Sequence, residues 1–305
     1  MDALVGASTT TLLLPSRRRL AGAPGPRTAA ALGRADRLPD GEPGEQAQLL
    51  RHVDLLPRGW PLAAVTRALD ADDALLHAWL RADPTQVRPD MTGARVLAIG
   101  GLGLTPRESD ALAGALRTTF GDAGFTISAP HPERWYIALP RGARIPAFAP
   151  PEAVLGDDLA AHLPEGPDGR RWRALLNEAQ VVLHNHPVNA ERAAAGRPTA
   201  NSLTFWGGGQ LPDQVRMART VLSHAADLRA LAKLAGAAAT GDAGPVLEDL
   251  RALRDPVALE AVLVAKLAAL RADGVLALDF ADGARFVLRR SQRMRFWRRP
   301  LATFA

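Results

Sequence analysis

The sequence predicts an α+β protein, a small mixed α/β unit followed by a mostly helical lobe that closes in a β-hairpin. Three observations carry that prediction. Residues 95–139 read as strand, glycine turn, capped helix and two further strands; residues 170–270 place apolar side chains at helical spacing; and residues 275–290 are two short runs about an Asp-Gly turn signal. At 305 residues and 47% hydrophobic composition the chain can bury a full core in one or two domains.

Residues 1–45 mix Ala, Gly, Pro and Arg without sustained periodicity and end in PDGEPGEQ, so a flexible tail is expected there, with an α+β lobe over 46–150 and a mainly helical lobe over 151–305. A helix is predicted from Asp72 to Leu80 with Trp79 as its apolar anchor, ending before Asp83 because Pro84 disfavours helical geometry in the residue before it. Arg95–Ile99 is a buried-strand pattern and residues 100–103 are a turn. Thr105-Pro106-Arg107-Glu108 is a capping box with proline at the first helical position, and its helix runs through Phe120. Phe125–Ser128 and Arg134–Leu139 follow as strands, and the Pro- and Gly-rich stretch 140–169 reads as a linker or long loop.

Helices are predicted over Arg170–Leu183, Pro187–Ala195 closed by Gly196, Asp213–Leu234, Pro245–Leu253 and Pro256–Leu270, the last with Leu259, Leu263, Leu267 and Leu270 on one stripe. Val275–Phe280 and Arg285–Arg290 form the hairpin about Asp282-Gly283. A two-residue turn would put Arg285 and Arg289 on the face of Leu276, Leu278 and Phe280, which conflicts with burial of that face. No internal repeat is present.

The charge is uneven. Of the net +5, seven arginines fall within residues 284–305, which carry no acid, leaving the rest of the chain at −2. Basicity therefore belongs to one end and does not describe a whole nucleic-acid-binding face. The chain has no Cys, which excludes disulfides and thiolate chemistry and fits a reducing compartment. No stretch approaches the roughly 18 apolar residues of a membrane span, and the apolar run at Leu12–Leu14 precedes its arginines where a secretory signal would follow them. A cytoplasmic protein with no membrane contact is expected.

Residues 176–209, LNEAQVVLHNHPVNAERAAAGRPTANSLTFWGGG, concentrate amides, two histidines, an arginine and a triple glycine. Asn189 and Arg192 are an i, i+3 pair on one helical face; with Asn201, Ser202, Trp206, Gly207, Gly208 and Gly209 they suit a phosphate or carboxylate, or else a polar network that locks the loops. His184 and His186 meet at a helix junction set by Pro187, where they serve as metal ligands or as capping and hydrogen-bonding groups. The Gly101-Leu102-Gly103 turn has Pro106 where the dinucleotide fingerprint has its third glycine and lacks a Walker lysine.

The pattern Leu176-Asn177-Glu178, His186-Pro187-Val188-Asn189, Arg192, Gly196, Asn201-Ser202 and Phe205 to Gly209, preceded by Arg81-Ala82-Asp83-Pro84 and residues 100–105, resembles the bacterial RpfE-type regulatory proteins. Through them it resembles the archaeal-type, cofactor-independent phosphoglycerate mutases. The resemblance spans residues 75–210 and the Arg-Phe-Trp-Arg-Arg at 295–299. It implies an alkaline-phosphatase-like core, two divalent metals, a serine nucleophile and 2- and 3-phosphoglycerate as substrates.

The Asp-Gly-x-Gly-Asp that such a centre needs after an apolar strand has its only echo in Asp40-Gly41-Glu42-Pro43-Gly44-Glu45, in a polar segment, and no Asp-His pair occurs. The expectation is thus a mutase-like protein without the two-metal centre and without a cofactor, regulatory or ligand-binding, taking a small phosphorylated acid through Asn189, Arg192, Asn201 and the Gly207–Gly209 loop. An active mutase with Asp83, His131, His184 and His186 clustered, or a nucleic-acid or acidic-partner binder working through the arginine-rich C-terminus with Phe286, Phe296 and Trp297, stand as the alternatives.

Overall fold

The computed structural model describes residues 9–20, 22–90, 93–140, 143, 145–240 and 244–303. The protein is α+β, and its chain divides into two compact units, residues 1–58 with 213–305 and residues 59–212. In chain order, the first segment holds β1 (Thr9–Leu14), α1 (Pro26–Arg34), β2 (Asp36–Leu38), α2 (Glu45–Leu50) and β3 (Asp54–Leu56). The middle unit holds α3 (Leu62–Asp70), β4 (Ala78–Asp90), β5 (Gly93–Ile99), α4 (Pro106–Ala115), α5 (Arg117–Asp122), β6 (Thr126–His131), β7 (Arg134–Leu139), α6 (Pro151–Val154), α7 (Gly166–His184), α8 (Pro187–Ala194) and β8 (Ser202–Gly209). The return segment holds β9 (Gln214–Arg216), β10 (Thr220–Leu222), α9 (Ala226–Ala235), β11 (Val246–Asp249), α10 (Pro256–Ala269), β12 (Val275–Phe280) and β13 (Arg285–Arg289).

The discontinuous unit is built on a six-stranded sheet of order β10-β11-β1-β12-β13-β2, parallel from β10 to β12 and antiparallel beyond. Strand β1 lies inside this sheet with Leu12, Leu13 and Leu14 fully buried, which corrects the expected flexible tail over 1–45; of those residues, 1–8 and 21 lie outside the described residues. The three consecutive leucines are the mark of a parallel strand covered on both faces. Its partners are in residues 246–280, too far along the chain for local pattern to reveal. One face of the sheet packs Leu12, Leu14, Leu276, Leu278, Phe280 and Phe286 against Leu32, Leu259 and Leu263 of α1 and α10.

The second half carries more strand than expected. Val221 and Leu222, placed on a helix stripe by periodicity, pair in β10 with Leu247 and Glu248, so the helix over Asp213–Leu234 shortens to α9 and that over Pro245–Leu253 becomes β11. Runs of three or four apolar residues cannot separate a period of 3.6 from one of 2. The hairpin forms as expected, and its register removes the conflict over the arginines: Leu278 pairs with Phe286 and Asp279 with Arg285 across a three-residue turn in which Gly283 takes φ +92°. Arg285 and Arg289 therefore share the face of Val275, Ala277 and Asp279.

In the middle unit an antiparallel sheet of order β5-β4-β7-β6, with β8 against β4, packs Leu80, Trp135, Ile137 and Phe205 on Leu112, Phe120, Trp172 and Leu176 of the helices. The helix expected over Asp72–Leu80 is replaced by the start of β4; Trp79 is still an anchor, its Nε1 donating to Ala74 O at 3.0 Å. Pro84 stands where the ladder passes from β7 to β5, a place that tolerates proline in a strand. The Thr105–Glu108 capping box forms as predicted, and α8 begins at Pro187 and is followed by Gly196 at φ +66°. The expected loop over 140–169 contains α6 and the first turn of α7.

Candidate functional site

The sequence-nominated residues begin at the junction of α7 and α8. His184 is exposed at the end of α7, while His186 caps α8, its Nδ1 accepting from Val188 N at 3.2 Å. Asn189 donates to Leu183 O at 2.7 Å and Ala200 O at 2.9 Å and accepts from Ala200 N at 2.9 Å. Arg192 is 0% exposed. Its Nε donates to Pro198 O at 2.7 Å, Nη1 to Glu108 Oε2 at 3.0 Å and Gly103 O at 3.4 Å, and Nη2 to Leu102 O. Burial opposes the Glu108 charge, but the Thr105 amide and Arg192 outweigh it and hold its carboxyl below the ordinary value.

The rest of the set lies along β8. Asn201 brackets Val87 of β4, accepting from its N at 2.8 Å and donating to its O at 2.9 Å. Ser202 accepts from Gln180 at 2.9 Å, and Trp206 Nε1 donates to Asp83 at 2.7 Å. A Cβ at Gly207, Gly208 or Gly209 would meet Ala63 N at 3.3 Å, Leu80 at 3.2 Å or Pro61 at 2.7 Å, so these glycines admit close packing inside the unit. The structure thus ties Asn189 and Arg192 to the 198–200 segment, ties Arg192 also to the 102–108 turn, and strings the others along a strand. Among the described residues the Arg192 guanidinium and the Asn189 and Asn201 amides are all engaged in bonds within the unit.

Beside β8 lies an ionic cluster that the helix reading of 72–80 concealed. Arg81, Asp83 and Thr85 share one face of β4. Arg81 forks onto Asp83 at 2.7 and 2.8 Å and its guanidinium carbon lies 5.3 Å from the Tyr136 ring and 4.9 Å from the Trp206 ring; Arg67 forks onto Asp73, and Arg134 and Tyr136 hold Asp70. Burial pushes the Asp83 carboxyl up against these donors. Burial is outweighed at Asp70, where Arg134 and Tyr136 hold the carboxyl low. Had 78–85 been read as a strand, the Arg-x-Asp alternation would have marked this face.

Two places in the discontinuous unit have functional geometry. The first is the carboxyl edge of the parallel strands, where open α/β sheets bind ligands. There Arg251 forks onto Asp249 at 2.8 and 2.9 Å, reaches Asp227 at 3.1 and 3.2 Å and lies 3.8 Å from Glu45, while Ser223 donates to Asp249 at 2.7 Å. Gln48 donates to Leu14 O and Asp279 O, and Arg17 pairs with Asp282 at 2.9 Å. Burial works against the Asp249 charge, yet Arg251 keeps that carboxyl below its usual value and is itself raised.

The second is a cleft of about 920 Å³ lined by residues from β1, β3, β9, β11, β12 and β13 and the segments next to them. Five arginines line it, Arg51, Arg58, Arg216, Arg219 and Arg285, against two aspartates, Asp54 and Asp279. Arg51 holds Asp279 at 2.6 and 2.9 Å and His52 stands 2.7 Å from the same carboxylate. Burial opposes that charge, and the two donors together keep Asp279 low.

No family model matches the chain. Over 63 residues it is 40% identical to the probable 2,3-bisphosphoglycerate-independent phosphoglycerate mutase of Geobacter sulfurreducens and to the corresponding mutase of Methanosarcina mazei, a match covering 21% of this chain and 16% of each relative. The mutase of Methanothrix thermoacetophila is 31% identical over 80 residues, 26% of this chain and 20% of its own. The matched stretches therefore span a fifth or less of these relatives. Among solved structures, the PH0037 protein of Pyrococcus horikoshii superposes with a TM-score of 0.50 at 14% identity, covering 93% of this chain and 88% of that one. The matched stretches are similar in sequence to these mutases, and the fold is similar to that of the PH0037 protein.

Two-metal phosphoryl transfer needs Asp and His ligands from several strand ends, about 4 Å apart in their metals. The carboxylates at the carboxyl edge do not fit that demand, since the Arg251 guanidinium already lies among Asp249, Asp227 and Glu45. Asp83 is forked onto Arg81 and His131 Nδ1 accepts from Glu133 N, so the ligand set of the active-mutase alternative is not assembled. Among the described residues no group of three or more His, Cys, Asp or Glu is placed to hold a metal ion, and no helix is long and apolar enough to cross a membrane.

Proposed function

We propose that this is a phosphoglycerate-mutase-like protein that works by binding, as a cytoplasmic regulatory protein of the RpfE type, and does not carry out metal-dependent phosphoryl transfer. The observation that supports this reading is Arg251, whose fixed positive charge stands among the carboxylates at the strand ends where a divalent pair would be needed. A guanidinium cannot polarise a phosphoryl oxygen as a Lewis acid does or generate a metal-bound nucleophile. In the same reading Asn189, Arg192 and Asn201 maintain the middle unit and do not contact ligand.

The test is interconversion of 3- and 2-phosphoglycerate by the full chain with manganese, magnesium or cobalt, alongside thermal unfolding with manganese and with chelator. We expect no turnover above background and no manganese-dependent shift of the midpoint. Turnover that chelation abolishes, together with a manganese-dependent shift, overturns the reading.

A second reading is carried by the C-terminal segment. Phe296 and Trp297 are 76% and 69% exposed with their rings edge to face at 5.4 Å, and Arg290, Arg293, Arg298 and Arg299 form no ion pair among the described residues. Exposed aromatics among free arginines suit stacking and phosphate contact with a polyanion. Salt-sensitive binding of single-stranded nucleic acid, lost on removal of residues 291–305 with the fold intact, is its test.

A further inference from the structure

The cleft on the discontinuous unit is the feature that no comparison explains. Its floor is apolar, formed by Val53, Leu247 and Ala277 with the Thr9 and Thr11 side chains beside them. The charges around it divide into spent and unspent. Arg51 is committed to Asp279, and Arg285 donates to Pro39 O at 2.6 and 3.1 Å. Arg58, Arg216 and Arg219 are exposed, line the same cleft and form no ion pair among the described residues. Asp54 stands opposite Arg216 in the β3–β9 pair, but no ion pair joins them.

We propose that this cleft binds an amphipathic anion, with a carboxylate, sulfonate or phosphate head held by Arg58, Arg216 and Arg219 and an apolar body lying on the floor of Val53, Leu247 and Ala277. Charge complementarity sets the head group: three planar donors without carboxylate partners favour an anion that they can hold through paired N–H groups. The floor and the volume set the body. About 920 Å³ is near the top of the roughly 300–1,000 Å³ of small-molecule sites, which a three-carbon phosphorylated acid would leave mostly empty while meeting apolar walls with hydroxyl groups. The ligand is therefore larger and less polar than phosphoglycerate. This goes beyond the regulatory reading, and each can fail alone, because one is tested by turnover and metal response and the other by ligand binding.

The experiment is a fluorescence titration of the full chain with 8-anilinonaphthalene-1-sulfonate, using uncharged N-phenyl-1-naphthylamine as the control dye and dodecanoate and 3-phosphoglycerate as competitors. The expected result is one saturable site per chain that binds the sulfonate more tightly than the neutral dye. Affinity should fall about tenfold or more in the Arg216→Ser/Arg219→Ser double variant, the change expected when charged donors to an anion are lost. It should not change in a Phe296→Ser/Trp297→Ser variant, which removes the other exposed aromatic surface, and dodecanoate should displace the dye where 3-phosphoglycerate does not. Both arginines are exposed, so the double variant should keep the wild-type unfolding midpoint. Absence of a saturable site, indifference to the arginine variant, loss of binding in the Phe296/Trp297 variant, or displacement by 3-phosphoglycerate overturns the proposal.

Discussion

Replacing Arg192 with Met separates an architectural arginine from a ligand-binding one. The side chain is wholly buried and supplies donors to Leu102 O, Pro198 O, Gly103 O and Glu108. Methionine retains an apolar stem of similar reach but no donor. Leu102 O sits in a buried bond, and leaving such an acceptor unpaired costs about 1–3 kcal/mol. Pro198 and Gly103 are exposed residues, so each of their bonds is worth only its net value of roughly 0.5–1.5 kcal/mol. Glu108 keeps compensation from Arg197 at 3.1 Å and from the Thr105 cap, so no bare charge remains. The expected loss is about 3 kcal/mol, or roughly 6–12 °C in Tm at about 2–4 °C per kcal/mol for a unit of this size.

Tryptophan fluorescence reads this directly, because Trp60, Trp79, Trp135, Trp172 and Trp206 all lie in the middle unit and only Trp297 lies outside it. Arg197→Met, at a half-exposed ion pair with the same glutamate, is the control and should cost no more than about 1 kcal/mol. If Arg192→Met unfolds within about 1 kcal/mol of wild type, the network does not hold this turn and the reasoning is wrong.

Three further outcomes are expected. Arg251→Met leaves Asp249 and Asp227 without their shared counter-ion and should destabilise the discontinuous unit by about 3–5 kcal/mol, seen as an early loss of ellipticity; an unchanged transition contradicts the fixed-charge role. Asp70, Asp249 and Asp279 titrate below their ordinary 3.8 when folded, so the unfolded chain takes up protons first. Their stabilisation is complete above about pH 5 and lost as pH falls through 3.8 toward the folded values, so the urea midpoint should drop between pH 5 and 3, and a flat midpoint refutes the pairing. Gly209→Ala, at φ +153° with a Cβ 2.7 Å from Pro61, should lower the middle unit's Tm by several degrees, and a neutral result would show that Pro61 yields freely.

Local chemistry was readable wherever the interaction partners are near in sequence. The Thr105–Glu108 capping box, the helix opened by Pro187, the 275–290 hairpin and the α+β class all follow from residues within a few positions of each other. The roles of the densest segment were half legible: its amides and arginine announced a polar network, but whether Arg192 faced a ligand or Leu102 O depended on a turn 90 residues earlier. The cleft left no trace, since its arginines are scattered over residues 51–285 and converge only when β1, β3, β9, β11, β12 and β13 assemble.

By itself the sequence determined where the helices opened by Thr105-Pro106 and by Pro187 start, and that one end is basic. Only the tertiary structure decided that Leu12–Leu14 is an inner strand and not part of a tail, that Arg251 lies among three carboxylates, and that Arg58, Arg216 and Arg219 line one cleft with no ion pair among the described residues. The physical reason is common to all three. Propensity and capping act over a turn of helix, whereas strand pairing and charge compensation join residues that only the folded chain brings within reach.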